Sequence, residues 1–585
     1  MFIGYNWELI KPISLITLMN IFRFGIGLDL SVSSYLTLFL FLFYVIYMLI
    51  QHKSLIYIIK LFSIFFILIL ALLTCADAVV YKHWSVKINP AAISFLSSPR
   101  EVIASVGNDD HVLIISVIGI LFFYVLYRLL LFVSDFLFNY PVKNKIWHNI
   151  VAVLMFPLLI IGIRGGLQLE PINQSSAFFS DRTICNHAAL NTAWNLLDKY
   201  TLKKRDHSIY GASPEAQLMT TIRSFYDKTP SETLLMKIKK PNIVLIILEG
   251  FTADVISAFG GLNGYTPNLD SISGQSIIWT NFYANGDRTY KGLPAILNGW
   301  PTRPVGSVTQ DADQTQTLPS IAKVLKSEGY DISFYYGGES EFANIKSYLI
   351  NTGFDKIIDI NDFPASLQGK KWGVADHYVF DKLAHDLNVK RKPFFNSILT
   401  LSSHEPYDIP LEPFVKGDNP KSKFLNTVMY TDYSIGKFFS VIKDYSWFDS
   451  TLFVITADHG NHLPVNYTTN YEPGRFKIPM LLYGNMIPDS LRGSFMTNIS
   501  SQNDIAFSVL NQLRLPAANF EYSQNMFDSG RGTAFYTFDH GFGLITKGSK
   551  FCYDYNSNKI IYKEGNANDS LLTLGKMIME ATQKK

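Results

Sequence analysis

The sequence is poor in cysteine and carries little net charge. Only three of its 585 residues are cysteines, Cys75, Cys185 and Cys552, and they show neither C-x-x-C spacing nor a metal-finger pattern. We therefore expect no cysteine-bound metal. Cys185 and Cys552 could pair if both lie outside the cytoplasm, which the sequence leaves open. The formal net charge of +3 gives no reason to expect nucleic acid as a partner.

Charged residues are also scarce in residues 1–168, where Leu, Ile, Phe, Val and Tyr dominate. A helix needs about 20 apolar residues to cross a bilayer. One such run is also compatible with a buried core helix, but five in succession predict a transmembrane domain. Their recurrence far from the N-terminus is not explained by a cleaved signal peptide. The five runs are 12–30, 32–50, 55–75, 112–135 and 147–166.

The short loops of this region predict its orientation. Segments 51–54 and 139–145 contain Lys and His but no acid, which is typical of the cytoplasmic side of a membrane. Five spans then place the N-terminus inside the cell and the chain after residue 168 outside it. Arg23 and Asp29 lie in or beside the first run, where charges either serve a function or extend to the interface. The sequence leaves both open.

The rest of the chain has the mixed composition of a soluble α/β protein. We predict a helical linker over 169–239, with helices near 186–200 and 213–227, an extracytoplasmic catalytic domain over 240–545 and a C-terminal extension over 546–585. Four apolar runs in the domain end in polar or glycine residues. In open parallel α/β sheets the ligand site lies beyond the carboxyl ends of the strands. The predicted strands are 242–248, 331–337, 395–401 and 450–456.

Two of these strand ends carry residues that suit a divalent metal. Glu249 follows the first strand and Asp458-His459 follows the fourth. Carboxylate and imidazole groups suit Mn²⁺, Mg²⁺ or Zn²⁺. A lone Asp-His-Gly is more often a plain turn, and a second copy stands at 539–541. We place the metal at the first copy because it belongs to the ordered series of strand ends, and we give His540 only a minor claim to a site role.

Thr289 stands at the start of a predicted helix, between Arg288 and Lys291. A threonine there is commonly an N-cap. It could instead be a nucleophile, because a helix N-terminus binds anions and a nearby metal would lower the pKa of the hydroxyl. The two cations would then contact a phosphoryl group. His404, after the third strand, could act as general acid or base because histidine titrates near neutral pH.

Several segments resemble the lipoteichoic acid synthase and phosphoglycerol transferase group of the alkaline phosphatase/sulfatase superfamily. The resemblance implies five spans before an extracellular, sulfatase-like α/β domain. It also implies Glu249, Thr289, Asp458 and His459 as ligands of one metal, typically manganese. Thr289 would be the nucleophile and His404 the substrate-side histidine. The segments are 25–35, 177–197, 242–251, 266–297, 335–345, 399–407 and 453–462.

The implied reaction takes a glycerol-phosphate head group from a phospholipid such as phosphatidylglycerol. The group would pass through the threonine to a hydroxyl of a glycan or glycolipid, at a bacterial cell membrane. We expect the substrate to contact Arg288, Lys291, Glu339, Asn344 and His462.

One segment departs from the pattern of the polymerising synthases. Those enzymes carry His-Gly, Trp and Arg where this chain has Tyr336-Gly337, Ala343 and Ile345. We therefore expect transfer of single groups rather than synthesis of a long polymer. The identity of the head group stays open.

Three other functions compete with this one. A sulfatase needs Cys or Ser in a C/S-x-P-x-R setting, whereas the chain reads Thr289-Tyr290-Lys291-Gly292; hydrolysis of a phosphodiester on the same fold stays open. A phosphoethanolamine transferase also uses threonine, but such enzymes usually need several disulfides. A non-catalytic binding protein would not need the intact Glu, Thr, Asp and His set. The sequence does not fix the acceptor, the metal, the type of cell envelope or the oligomeric state.

Overall fold

We describe the chain from a computed structural model. It divides into two compact units, residues 1–205 and residues 206–585. The first unit is helical and the second is an α/β domain. The residues that the structure describes are 1–84, 87–88, 110–139, 145–168, 170–205, 213–226, 238–369, 373–390, 393–528, 532–566 and 568–584.

The first unit contains several long apolar helices. Within the described residues, three helices are long and apolar enough to cross a membrane: Leu15–Ile50, Lys53–Lys82 and Ile115–Val133. A shorter apolar helix covers Val153–Arg164. Most of the basic loop predicted at 139–145 lies outside the described residues. The helices of this unit are α1 (Phe2–Tyr5), α2 (Trp7–Ile10), α3 (Leu15–Ile50), α4 (Lys53–Trp84), α5 (Asp110–Asn139), α6 (Lys145–Arg164), α7 (Thr183–Ala189) and α8 (Thr192–Arg205).

The predicted spans 12–30 and 32–50 are one continuous helix, α3, so their separation was wrong. The polar break between them contains no Gly or Pro that would end a helix. Its serines are absorbed by packing instead: Ser31 is buried, and its hydroxyl donates to the carbonyl of Ile163 at 2.7 Å. At about 1.5 Å per residue, α3 is about 54 Å long. It therefore extends well beyond a hydrocarbon layer of about 30 Å.

The merged helix changes the expected topology of the N-terminus. The side-chain amide of Asn6 donates to the carbonyl of Ala78, near the end of α4, at 3.1 Å. The guanidinium of Arg182, beside α7, donates to the carbonyl of Pro12 at 2.6 Å. Residues 1–14 therefore lie at the same end of the helices as α7. Five spans would have placed the N-terminus at the opposite end of the helices from α7. Because two predicted spans form the single helix α3, the chain crosses once less and the N-terminus lies at the α7 end.

The length of α3 also accounts for its two charges. Counted from Ile50 at about 1.5 Å per residue, Asp29 lies about 32 Å along the helix and Arg23 about 40 Å. Both positions fall beyond a hydrocarbon layer of about 30 Å that begins at Ile50. Asp29 accepts a hydrogen bond from the amide of Asn191 at 2.6 Å. This geometry favours the interface explanation of the two charges over a role inside the membrane.

The second unit is built on an eight-stranded sheet in the order β5-β4-β6-β1-β7-β8-β2-β9. Strands β5, β4, β6, β1 and β7 are parallel, and β8 runs antiparallel to β7. The four predicted strands are confirmed as β1, β4, β6 and β7, each within one or two residues. The strands are β1 (Asn242–Leu248), β2 (Ile277–Trp279), β3 (Phe282–Tyr283), β4 (Asp331–Tyr336), β5 (Lys356–Ile358), β6 (Phe394–Leu399), β7 (Thr451–Ala457), β8 (Met480–Tyr483), β9 (Phe495–Met496), β10 (Ser500–Ser501), β11 (Thr533–Phe538), β12 (Gly541–Thr546), β13 (Ser549–Asp554) and β14 (Lys559–Gly565).

The central strands of this sheet are covered on both faces, since β1 and β7 are buried along almost their whole length. Continuous burial explains why these strands are apolar runs rather than alternating patterns. The helices are α9 (Glu215–Phe225), α10 (Pro267–Ser273), α11 (Thr289–Asn298), α12 (Ala312–Thr317), α13 (Ile321–Ser327), α14 (Ile345–Asn351), α15 (Asp376–Asn388), α16 (Pro420–Ile442), α17 (Asn503–Gln512) and α18 (Asp569–Lys584).

A second sheet of four antiparallel strands, β11 to β14, follows the first. The predicted boundary at residue 545 falls inside β12, and residues 546–584 supply β13, β14 and α18. Helix α18 packs against α9 and β12. The segment predicted as an extension is thus built into the second unit. All three cysteines are free thiols, and Cys552 is buried beside the Tyr536 hydroxyl.

Candidate metal and nucleophile site

The carboxyl ends of β1 and β7 bring three candidate metal ligands together. Glu249, Asp458 and His459 each offer one ligand atom, and these atoms lie within 4.8 Å of one another. Nε2 of His459 lies 3.3 Å from a carboxylate oxygen of Glu249 and 3.8 Å from one of Asp458. The parallel pairing of Leu248 with Ala457 fixes this arrangement, because both side chains that follow emerge at the same edge of the sheet.

One oxygen of Asp458 fits the role of a metal ligand. Its Oδ1 accepts hydrogen bonds from the backbone N–H groups of Gly250 at 2.9 Å and His459 at 2.7 Å. Its Oδ2 is buried and has no hydrogen-bond partner among the described residues. A buried carboxylate oxygen without a partner is costly. A divalent cation bound by two carboxylates and one imidazole would satisfy it.

The ionisation of the three groups is strongly shifted by their proximity. Burial, together with the Glu249 carboxylate, raises the pKa of Asp458 to about 8. Burial alone would lower the pKa of His459, but the carboxylates of Asp458 and Glu249 raise it to about 9. Burial opposes ionisation of Glu249, yet the hydrogen bond and positive charge of His459 lower its pKa to about 2. The carboxylates of Glu249 and Asp458 thus repel each other and share the positive charge of His459. A divalent metal bound among them would stabilise both carboxylates in their charged form.

Thr289 is the first residue of α11 and does not cap it. The N-cap position is Arg288, whose side chain makes no capping hydrogen bond. The hydroxyl of Thr289 instead donates to Glu249 at 2.9 Å. Helix α11 packs closely on the Asp458 loop: a Cβ added to Gly292 would lie 2.0 Å from the carbonyl oxygen of Asp458. The structure thus holds the threonine hydroxyl against the ligand cluster, with the positive end of the α11 dipole behind it.

A cavity of about 500 Å³ opens over this cluster. Of the residues predicted to contact substrate, Arg288, His404 and His462 line it, together with Glu249, Thr289 and His459. The Arg288 guanidinium donates to the carbonyl of Asp287 at 3.0 Å. The size of the cavity is that of a site for a small molecule or a head group.

Three predicted substrate residues are not part of the cavity lining. The Lys291 ammonium is buried and pairs with Asp287 at 2.9 Å, so its charge is used within the protein. Glu339 lies half-buried after β4, where burial and the neighbouring Glu341 raise its pKa. Asn344 adopts a left-handed backbone conformation at the start of α14, with φ of 61°.

The cavity also contains residues that the sequence did not single out, of which Arg475 is the most informative. Its Nε atom is buried without a hydrogen-bond partner in the described part of the chain. Its carbonyl packs against the loop that carries Asp458 and His459, since a Cβ added to Gly460 would lie 1.9 Å from the carbonyl oxygen of Arg475. Arg475 follows no strand and belongs to no motif, so no local signal marked it. The other such lining residues are Asp287, Tyr290, Phe342, Ser403, Glu405, Tyr407 and Asn461.

The second Asp-His-Gly motif has a different environment. Asp539 and His540 form the two-residue turn between β11 and β12, which pair from Phe538 to Gly541. Both side chains are exposed, and His540 has a φ of 68°. Neither belongs to the ligand cluster. The ranking of the two motifs therefore agrees with the geometry.

Comparison with known proteins agrees with this fold. Residues 241–514 match the sulfatase family. The protein is 25% identical over 274 residues to lipoteichoic acid synthase 1 of Bacillus subtilis (strain 168), covering 44% of this chain and 42% of that protein. It is 27% identical over 243 residues to the lipoteichoic acid synthase of Staphylococcus saprophyticus, covering 39% and 37%. The matches thus span about two fifths of the length of these relatives.

Two solved structures have the same fold. A protein of the alkaline phosphatase superfamily from Vibrio parahaemolyticus matches with a TM-score of 0.56 and 26% identity, covering 64% of this chain and 96% of that chain. The lipoteichoic acid synthase LtaP of Listeria monocytogenes matches with a TM-score of 0.54 and 18% identity, covering 63% and 96%. The chain therefore carries a sulfatase-family domain with the alkaline phosphatase superfamily fold. It is similar to lipoteichoic acid synthases and has apolar N-terminal helices suited to a membrane.

Proposed function

We propose that the protein is a membrane-bound transferase that moves a phosphoglycerol-type head group from a phospholipid to a hydroxyl of a glycan or glycolipid. The observation that carries this proposal is the hydrogen bond from the Thr289 hydroxyl to Glu249 within the ligand cluster. A plain N-cap would not make that bond. The similarity to lipoteichoic acid synthases adds the class of substrate.

The reaction proceeds in two displacements at phosphorus. Thr289 passes its hydroxyl proton along its hydrogen bond to Glu249, and its oxygen forms a bond to phosphorus while the bond to the diacylglycerol oxygen breaks. His404, in the same cavity, donates the proton that the leaving oxygen needs. The acceptor hydroxyl then attacks the phosphothreonine and passes its proton to His404, and the released Thr289 oxygen recovers its proton from Glu249.

Glu249, Asp458 and His459 would hold one divalent metal, with Thr289 beside it, and Mn²⁺ is our first choice ahead of Mg²⁺ and Zn²⁺. Such an ion stabilises a phosphoryl group and lowers the pKa of a hydroxyl. Arg475 and Arg288 face the same cavity and bind the non-bridging phosphate oxygens. Guanidinium groups suit this role because their N–H donors match the geometry of phosphate.

The protein would lie in a bacterial cell membrane with its second unit outside the cytoplasm. The short turn between α3 and α4 carries His52 and Lys53 and belongs on the cytoplasmic side. The N-terminal segment and α7 lie at the opposite end of these helices, so both would be outside. A phosphatase reporter fused after residue 200 should be active, and a reporter that works only in the cytoplasm should not.

Mass spectrometry of the intact protein tests the reaction. Wild-type protein is incubated with phosphatidylglycerol labelled in the head group, and the mass gained on the peptide that contains Thr289 is measured. We expect one phosphoglycerol group, absent from Thr289→Ala. A label on another residue would show that Thr289 is not the nucleophile. Release of free glycerol phosphate without any label on the protein would replace transfer with hydrolysis.

A second candidate, phosphoethanolamine transfer, is favoured by one observation. Glu405 contributes a carboxylate to the cavity wall, and a carboxylate suits an ammonium group. The same experiment with labelled phosphatidylethanolamine separates the two donors. We expect the phosphoglycerol label to predominate, because the relatives are lipoteichoic acid synthases.

A further inference from the structure

A second cavity, of about 670 Å³, lies within the first unit. It is a groove between α3, α4 and α8, which we call the helix groove. Its walls are almost entirely apolar, and Asp198 is the one charged side chain in its lining. The residues that define it are Val32, Leu36, Phe66, Leu70, Trp194 and Leu197.

The position of the helix groove along the helices places it inside a membrane. Helices α3 and α4 are joined by a short turn at Gln51 and His52. At about 1.5 Å per residue, Leu36 lies about 21 Å from the α3 end of that turn and Leu70 about 26 Å from the α4 end. A hydrocarbon layer of about 30 Å that starts at the turn would include both residues. The groove then occupies the leaflet farther from the turn.

Polar contacts mark the surface just above the groove. Asn191 binds Asp29 at 2.6 Å, and the Thr192 hydroxyl donates to Asp77 at 2.8 Å. These bonds tie the start of α8 to α3 and α4 at the level where the hydrocarbon layer ends. Trp194, one turn later, lines the groove. Amphipathic aromatic rings are enriched at this depth of a membrane.

The groove is open at its side, and this opening determines its occupant. Tyr35 and Leu197, both in the lining, are 57% and 66% exposed. In a bilayer these side chains would face acyl chains rather than water. An apolar cavity open to the hydrocarbon layer is filled by an acyl chain, because the atoms that line an empty cavity would lose their van der Waals partners.

We propose that the helix groove binds one acyl chain of a phospholipid and holds the donor lipid in the outer leaflet for transfer. The role as donor site rests on the proposed function, whereas the binding of lipid does not. The groove would therefore select for chain length, a property that the phosphoryl site cannot supply.

Filling the groove tests the proposal. Leu36→Trp and Leu70→Trp place an indole in the space of the chain. Leu61→Trp is the matched control, because Leu61 is on α4, is 67% exposed and does not line the groove. Full-length protein in vesicles is assayed with long-chain phosphatidylglycerol and with a water-soluble aryl ester of glycerol phosphate. We expect the KM for the long-chain donor to rise about tenfold or more in the filled variants, because the displaced chain loses its van der Waals contacts with the groove wall.

The soluble donor separates the possible outcomes. Filled variants should turn it over at the wild-type rate, which also shows that they fold. An unchanged KM for the long-chain donor in both filled variants would overturn the donor role. If wild-type protein turns over neither donor, the proposed function fails, and the groove is then judged by binding alone.

Binding is measured on the wild-type protein with a phosphatidylglycerol that carries a photoreactive diazirine in one acyl chain. We expect crosslinks in the peptides that contain 32–36, 66–73 and 193–198, and their loss in Leu70→Trp but not in Leu61→Trp. Crosslinks spread evenly over the exposed faces of the apolar helices would show ordinary contact with the bilayer and would overturn the proposal.

Discussion

The tripeptide Asp-His-Gly occurs twice in this chain with opposite outcomes. At Asp458 it follows β7 in the middle of the large sheet, and the carboxylate is fully buried. At Asp539 it turns a hairpin of the small sheet and is exposed. The three residues are the same, so the difference comes from what surrounds them. The first motif is a candidate metal site because the fold buries it and brings a second carboxylate, Glu249, beside it.

The first motif has polar neighbours from two other segments of the chain. Glu249 arrives from β1 and Thr289 from α11, each within hydrogen-bond or ion-pair distance of the cluster. Burial lowers the pKa of Arg475 in the cavity, and the Asp539 carboxylate of the second motif is one of the charges that oppose this shift.

The largest effect should come from Asp458→Ala set against Asp539→Ala. Loss of Asp458 removes the carboxylate oxygen that fits a metal, and several kcal/mol of transition-state stabilisation with it, so turnover should fall by about 10³-fold or more. Asp539→Ala should stay within about threefold of wild type, because its charge acts from an exposed turn. Bound metal and turnover are measured together in both variants. Metal retained in the first and lost in the second would reverse our ranking.

Thr289→Ala should reduce turnover almost as strongly, because covalent catalysis depends on all of its parts. The free energy of unfolding should change by less than about 1 kcal/mol, since Thr289 does not cap α11. Turnover and chemical denaturation are compared, with Thr289→Ser as the control that keeps a hydroxyl. Turnover of Thr289→Ala within about tenfold of wild type would return this residue to a structural role at the helix start.

Arg475→Ala should raise the KM for the phospholipid by about 10- to 100-fold, the range of one or two charge-assisted hydrogen bonds. Its carbonyl would keep its packing on Gly460, so the metal content should not change. Steady-state kinetics and metal analysis provide the two readouts. Arg475→Lys is the control that keeps the charge and should recover part of the affinity. A fall in metal content with an unchanged KM would show that Arg475 supports the loop of the first motif and does not bind the substrate.

The pH dependence of metal binding should distinguish the motifs further. Metal must displace protons from Asp458 and His459, whose pKa values in the metal-free fold are about 8 and about 9. Apparent affinity for Mn²⁺ should therefore rise by about tenfold or more per pH unit below pH 8. Both pKa values exceed those of the unfolded chain, so the metal-free protein should lose stability as pH rises from about 4 to 9. Calorimetric titrations at several pH values measure the affinity for Mn²⁺. An affinity that does not change with pH would contradict the predicted release of protons from Asp458 and His459.

The smallest effect should follow His540→Gly. His540 holds a left-handed backbone conformation at φ 68°, which glycine adopts without the usual cost of about 1–2 kcal/mol. The greater freedom of glycine in the unfolded chain offsets part of this gain. Stability should therefore change by less than about 1 kcal/mol, towards a gain, and turnover should remain within about twofold. A large loss of activity would show that the second motif takes part in the reaction.

The membrane unit illustrates where prediction from sequence stopped. Apolar runs identify membrane helices reliably, because the length of a run reflects the thickness of the bilayer. They do not show whether a polar break is a loop or a packed contact. Ser31 separates the two predicted runs, yet it lies within α3, where its hydroxyl donates to the carbonyl of Ile163. That contact joins residues far apart in the chain, and no local pattern records it.

The sequence by itself determined the class of the protein, its strands, and the four residues of the candidate site. Buried parallel strands are continuous apolar runs, and their polar ends must meet at one edge of the sheet. The tertiary structure alone decided that Lys291 pairs with Asp287 and that Arg475 faces the cavity. Such choices depend on burial and on partners from distant segments, because the charge and pKa of a side chain are set by the neighbours that folding brings to it.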